Sequence, residues 1–203
     1  MFKSVAFILL SIPVIVSYSC KKGIDDNSDK TQLVKGVFSY HRVLTYASPL
    51  PSKELLVSNR SDTDIVAVLN GNHLLLSFYT KPFSDDIIFE VPISDLASEI
   101  IGTYKIKTKN SVEGVTNSNY IFNFYNLQTQ QHSFIIVGAS FNGSGNLAIT
   151  AYDQQQNAIT GTFSLNMEMV PDPTVDIIDQ GPVVTRNCSI KIEGAFQNVL
   201  LHN

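Results

Sequence analysis

The sequence predicts an all-β domain, an antiparallel β-sandwich or a meander barrel of roughly ten strands with at most one short helix. Three observations predict it. From Ile159 to Met169, Ile159, Gly161, Phe163, Leu165, Met167 and Met169 take one parity, and Thr160, Thr162, Ser164, Asn166 and Glu168 take the other. That unbroken alternation is the period of a half-buried antiparallel strand. Cys188, Ile190, Ile192 and Phe196, set against Ser189, Lys191, Glu193 and Gln197, repeat it. Turn residues then punctuate the chain at Asn70-Gly71, Asn142-Gly143-Ser144-Gly145-Asn146 and Asp153 to Asn157. Periodicity alone does not separate sandwich from barrel, because both alternate in and out.

Taken in order, a first strand is predicted within Leu33–Tyr46. Ile65–Leu69 and Leu74–Tyr79 flank Asn70-Gly71, a pair suited to a type I′ hairpin with positive φ at both central residues. Ile87, Phe89, Val91 and Ile93 alternate with Ile88, Glu90 and Pro92, and Pro92 marks an edge or a strand end because it has no N–H. Ser94 is a candidate cap for one helical turn through Glu99, closed by Gly102. Tyr104, Ile106 and Thr108 alternate with Lys105, Lys107 and Lys109. Tyr120–Leu127 reads as a strand. Phe134–Phe141 and Leu147–Tyr152 read as strands separated by the Gly-rich turn. Pairing is expected between neighbours in sequence. Residues 171–187, with Pro171, Pro173, Gly181 and Pro182 among Asp172, Asp176 and Asp179, read as one long loop, a functional candidate by length.

The amino terminus reads as an export signal occupying residues 1–19. Lys3 supplies the positive start, and the apolar run from Val5 to Val16 has the length of a signal-peptide core rather than of a membrane span of about 20 residues. Ser17-Tyr18-Ser19-Cys20 follows, with a small residue before the cut and a thiol after it. This resembles the lipobox of bacterial lipoproteins in its relaxed Bacteroidetes form; Ser17 and Tyr18 depart from the stricter pattern. The resemblance implies lipid on Cys20, membrane attachment through that lipid, and no spanning helix. Several acyl chains hold a protein firmly where one binds reversibly. Lys21 to Thr31 is polar and reads as a flexible tether, reaching at most about 35 Å. Lys21 does not look like an inner-membrane retention signal, so the outer membrane is expected, with its periplasmic and surface faces both open. The single β domain is then 32–203.

The net charge is −4, and −5 once residues 1–19 are removed, which argues against a nucleic-acid partner. There are two cysteines. With Cys20 lipidated, Cys188 has no partner in the chain, and packing must hold the fold without a disulfide.

Gly145 to Asp153, Ile159-Thr160-Gly161-Thr162-Phe163-Ser164-Leu165 and Ile192-Glu193-Gly194-Ala195-Phe196 together resemble small Bacteroidetes lipoproteins of unknown function, which carry a "GTFSF"-like strand followed by a "G-x-F" strand. Gly102-Thr103-Tyr104 is similar to their internal "GTY" strand start. The likeness runs in pieces over residues 60–200. It implies the anchor and the β fold, and it transfers no catalytic residue.

Candidate chemistry is sparse. No nucleophile elbow, phosphate loop or dinucleotide fingerprint is present, and no cofactor or metal is expected. Cys188 points inward by its alternation and reads as a small packing residue. His41, His73, His132 and His202 form no ligand pair; His41 and Arg42 lie on opposite faces of one strand. Asp172, Asp176 and Asp179 are the better of two calcium candidates; Asp85-Asp86 reads as a solvated turn after Pro82. Trp is absent, against sugar stacking, while Tyr120, Phe122, Phe124 and Tyr125 place aromatics on both faces of a strand. The sequence therefore points to a non-enzymatic binding or structural domain with an unknown protein or small-molecule partner. The alternatives are a lipocalin-like carrier of a small apolar ligand and a hydrolase with dispersed residues.

Overall fold

Among the described residues, strand alternation in the sequence becomes eleven strands: β1 Val37–Tyr46, β2 Lys53–Ser61, β3 Ile65–Leu69, β4 His73–Tyr79, β5 Asp85–Pro92, β6 Gly102–Lys105, β7 Asn117–Phe124, β8 His132–Val137, β9 Asn142–Asp153, β10 Ala158–Pro171 and β11 Asn187–His202. The only helical element among the described residues is a 3-10 turn at Ile93–Asp95. The computed structural model describes residues 35–47, 50–61, 65–80, 85–107, 114–124, 132–137, 142–174 and 186–203. Cys20, the signal, the tether, Asp176 and Asp179 lie outside these residues.

One curled sheet runs through all eleven strands. Its first half has the order β6-β9-β10-β11-β1-β2, all antiparallel. Its second half, β3-β4-β5-β7-β8, is also antiparallel and joins β11 through the parallel pairs Leu201↔Ala67 and His202↔Val68. The corner is a bulge in β11. Ile159 pairs with Val199 but Gly161 pairs with Phe196, so β11 carries one residue more than β10. Asn198 absorbs it at φ 52°, and its N–H donates to Thr160 Oγ1 at 3.1 Å. Asn tolerates this left-handed region better than most residues. Bulges of this kind bend a strand and let it change sheets.

The two halves pack face to face on aromatic rings. Phe78 of β4 lies 5.2 Å from Phe38, 4.8 Å from Phe163 and 5.5 Å from Phe196, all on the opposite half. Phe89 of β5 joins at 5.4 Å from Phe163. Each such ring contributes about 1.5–3 kcal/mol by burial, as do the fully buried aliphatic side chains that surround them, Leu44, Leu74, Leu76 and Ile87 among them.

The fold departs from the sequence reading in several places. Pairing is not confined to sequence neighbours: β1 pairs with β11, β5 with β7 and β6 with β9. The Asn142–Asn146 run is no turn. It lies inside β9, with Gly145 at φ 138° directly against the Ser164 carbonyl. Only a residue without Cβ fits there. The Asn70-Gly71 hairpin forms without positive φ; instead Asn70 Oδ1 accepts the N–H groups of Asn72 and His73 at 2.9 Å each, an Asx turn. Ser94 makes no cap, and Ile93 is exposed. Met169 is exposed rather than inward, because a second bulge between Met167 and Val170 puts it at φ 55° and returns Val170 to the core. Strand β2 has no clear alternation in the sequence and was not expected.

Candidate functional site: an ion pair between the sheet halves

Strand β1 sends Phe38, Tyr40, Leu44 and Tyr46 into the interior. Arg42 has the same parity and goes in with them, almost fully buried. On the opposite half, β5 turns Asp85, Ile87, Phe89 and Val91 inward, and β7 turns Ser118, Tyr120 and Phe122 inward. The start of β5 is pinned by Thr80: the Asp85 N–H donates to Thr80 Oγ1 at 2.9 Å, and Thr80 Oγ1 donates to the Asp85 carbonyl at 2.7 Å.

These parities bring four polar side chains together. Arg42 Nη1 donates to Asp85 Oδ1 at 2.5 Å and to the Tyr120 hydroxyl at 3.0 Å. The Tyr120 hydroxyl donates to Asp85 Oδ1 at 2.7 Å, and the Tyr40 hydroxyl to Asp85 Oδ2 at 2.8 Å. The Asp85 carboxylate thus accepts three side-chain bonds and is fully out of water. The Phe122 ring lies 5.4 Å from the guanidinium carbon, within cation–π range.

Burial holds both phenols protonated. Desolvation first, then the adjacent Asp85 charge, push Tyr40 and Tyr120 far above the usual phenol range. Burial works against the Arg42 charge, but Tyr120 and Asp85 outweigh it, and the guanidinium is held more firmly charged than usual. Neither phenol is free to act as a base near neutral pH. The arrangement ties β1 of one half to β5 and β7 of the other.

A second cluster joins Asp172 and Thr174 to Arg186. Asp172 Oδ2 accepts from Arg186 Nε at 2.9 Å and Nη2 at 2.5 Å. Asp172 Oδ1 accepts from the Thr174 N–H at 2.8 Å and from its hydroxyl at 2.7 Å. Arg186 and Lys53 lie 4.7 and 5.7 Å from the Tyr46 ring. Burial would raise the Asp172 carboxyl, but the Thr174 bonds and Arg186 outweigh it and hold it below the ordinary range.

Both calcium candidates change meaning. Asp85 is not a solvated turn residue; it is the buried partner of Arg42. Asp172 has its carboxylate taken by Arg186 and Thr174. Among the described residues no group of three or more His, Cys, Asp or Glu side chains is placed to hold a metal ion. His41 and Arg42 lie on opposite faces as expected, and His41 meets Glu54 at 3.3 Å on the outside. His73 meets Glu90 at 3.2 Å. Cys188 is buried, and desolvation with the nearby Asp172 charge pushes its thiol up to about 12. Sequence reasoning missed the Arg42 cluster, although a signal existed: Arg42 and Asp85 are charges standing on the apolar parity of their own strands.

Comparison with family models, with curated proteins and with solved structures gives no match.

Proposed function

We propose that the chain is a lipid-anchored cell-envelope protein, cut before Cys20 and acylated on that cysteine, whose β domain binds a partner or serves a structural role without catalysis. The observation that carries the anchor is the apolar run Val5–Val16 ending at Ser19-Cys20, ahead of a polar tether. The likeness of the Gly161-Thr162-Phe163 and Gly194-Ala195-Phe196 strands to small Bacteroidetes lipoproteins supports the anchor, and Lys21 behind Cys20 favours the outer membrane. Phenyl rings occupy the space between the sheet halves, and the buried phenols are locked as hydrogen-bond donors. Among the described residues no helix is long and apolar enough to cross a membrane.

Metabolic labelling with an alkyne fatty acid tests the anchor. The wild-type chain is expected to take up label and to fractionate with membranes. Cys20→Ala is expected to lose the label. Continued acylation of Cys20→Ala would overturn the anchor.

A further inference from the structure

The hairpin between β3 and β4 sets three kinds of group around one amide. Its Asn70-Gly71 pair is one of two Asn-Gly pairs in the chain, the other being Asn142-Gly143. An asparagine before glycine can lose its side-chain amide, because the glycine nitrogen carries no neighbouring Cβ to block its approach to the amide carbon. At Asn70 the surroundings favour that loss. Its Oδ1 accepts the N–H groups of Asn72 and His73 at 2.9 Å each, two donors at the distance of an oxyanion hole. Its Nδ2 lies 3.2 Å from His73 Nε2, within reach of a general acid. The other ring nitrogen, His73 Nδ1, lies 3.2 Å from Glu90 Oε1, and a carboxylate there orients the ring and stabilises its charged form. A Cβ built on Gly71 would meet nothing within 4 Å, so the tip of the turn is open.

We propose that the folded hairpin promotes its own deamidation at Asn70, a covalent modification of the chain that is independent of the anchor and of any partner. The Gly71 nitrogen attacks Asn70 Cγ and gives its proton to hydroxide from solvent. The carbonyl electron pair moves onto Oδ1, where the Asn72 and His73 N–H groups hold the developing charge. Cγ is then tetrahedral and Nδ2 has become a basic amine. An imidazolium at His73 donates its Nε2 proton to Nδ2 and is later reprotonated from solvent. The Oδ1 pair re-forms the carbonyl, the Cγ–Nδ2 bond breaks, and ammonia leaves. Water opens the resulting five-membered imide at either carbonyl, leaving an aspartyl or an isoaspartyl residue at position 70. His73 is the catalytic residue of this step, and Glu90 is a positioning residue acting through it. The product carries one more negative charge, beside Glu90. Asn142-Gly143 has the same sequence but a different setting: both residues lie in β9, paired with Glu168 and Met167 of β10, and a strand backbone held on its neighbour cannot turn its amide onto its own side chain.

The test ages the full chain in warm neutral buffer, folded and in urea, and follows the two Asn-Gly peptides by isotope-resolved mass spectrometry. Folded Asn70 is expected to lose its amide at least fivefold faster than Asn70 in urea, while Asn142 shows the reverse order. His73→Gln keeps a polar side chain beside Nδ2 but has no imidazolium, and is expected to slow folded Asn70 at least fivefold with no change in urea. Glu90→Gln should slow it in the same direction and Glu90→Asp should restore part of the rate. Protection of Asn142 in each variant reports that the sheet is intact, which separates lost chemistry from lost folding. The proposal is overturned if folded Asn70 reacts no faster than Asn70 in urea, or if His73→Gln with Asn142 still protected reacts as fast as the parent chain.

Discussion

Gly161 sits beneath the ring of Phe196. They are direct cross-strand partners between β10 and β11, and a Cβ on Gly161 would come 2.6 Å from Phe196 Cζ and closer still to the Ala148 carbonyl. The arrangement is reciprocal. Phe163 pairs with Gly194, and a Cβ on Gly194 would meet Phe163 Cε1 at 2.7 Å. Each glycine leaves room for the other strand's ring to lie flat on the sheet, and both rings then reach Phe78. The Gly-x-Phe spacing in both strands is therefore a packing device.

Gly194→Ala is expected to destabilise the domain by about 1–3 kcal/mol, the usual range for forcing a methyl group into a filled core. The cost should shrink in a Phe163→Leu background, because the smaller side chain vacates the space the new methyl needs. Urea unfolding of the four members of the double-mutant cycle measures the coupling. Additive costs would show that the ring is not what the glycine accommodates.

The Arg42–Asp85 pair links β1 of one half to β5 of the other, where two phenols complete the acceptor set. Removing one partner leaves the other charge buried. Asp85→Ala is expected to cost about 3–5 kcal/mol, whereas the double change Arg42→Met with Asp85→Leu should recover much of that loss, because a dry apolar pair carries no desolvation penalty. Tyr40→Phe removes one donor and should cost about 1 kcal/mol. Denaturant midpoints settle the order; a double variant less stable than Asp85→Ala would contradict it.

Strand periodicity made most of the architecture legible. Ile159–Leu165 and Cys188–Ile192 point as their alternation requires, and Tyr104 and Ile106 are buried between exposed lysines. What stayed hidden depends on partners distant in the chain. Gly145 looked like a turn residue because its need, a carbonyl of Ser164 pressed against it, comes from another strand. The bulges at Met169 and Asn198 break parity for reasons of sheet curvature that no local pattern contains. Arg42 and Asp85, forty-three residues apart, acquire meaning only when β1 and β5 face each other across the interior.

Asp172 ties acid stability to its contacts with Thr174 and Arg186. Its folded carboxyl lies below the ordinary value, through Thr174 and Arg186. The unfolded chain therefore holds the proton more tightly, and the stabilisation is present above the unfolded value of about 3.9 and lost as pH falls through the lower folded value. Asp172→Asn should be less stable than wild type at pH 7, and the two should converge as pH falls below about 4. Thermal midpoints across that range would test it, and a gap that persists unchanged in acid would remove the carboxylate as its cause.

Cys188 supplies the opposite sign. It is buried beside Val170 and Tyr46 as their cross-strand partner, and burial raises its thiol to about 12. Only the thiolate attacks a maleimide, so labelling of the folded chain at pH 8 should be slow and should accelerate sharply in denaturant. An ordinary thiol ionises near 8.5 when the chain unfolds. The unfolded state then sheds its proton first, so the contribution is complete below about 8.5 and declines as pH rises from there towards about 12. Cys188→Ala should flatten that alkaline decline while losing packing at every pH. Mass spectrometry of maleimide adducts against time gives the direct answer: fast labelling of the native chain would place Cys188 at the surface and break its assignment to the core.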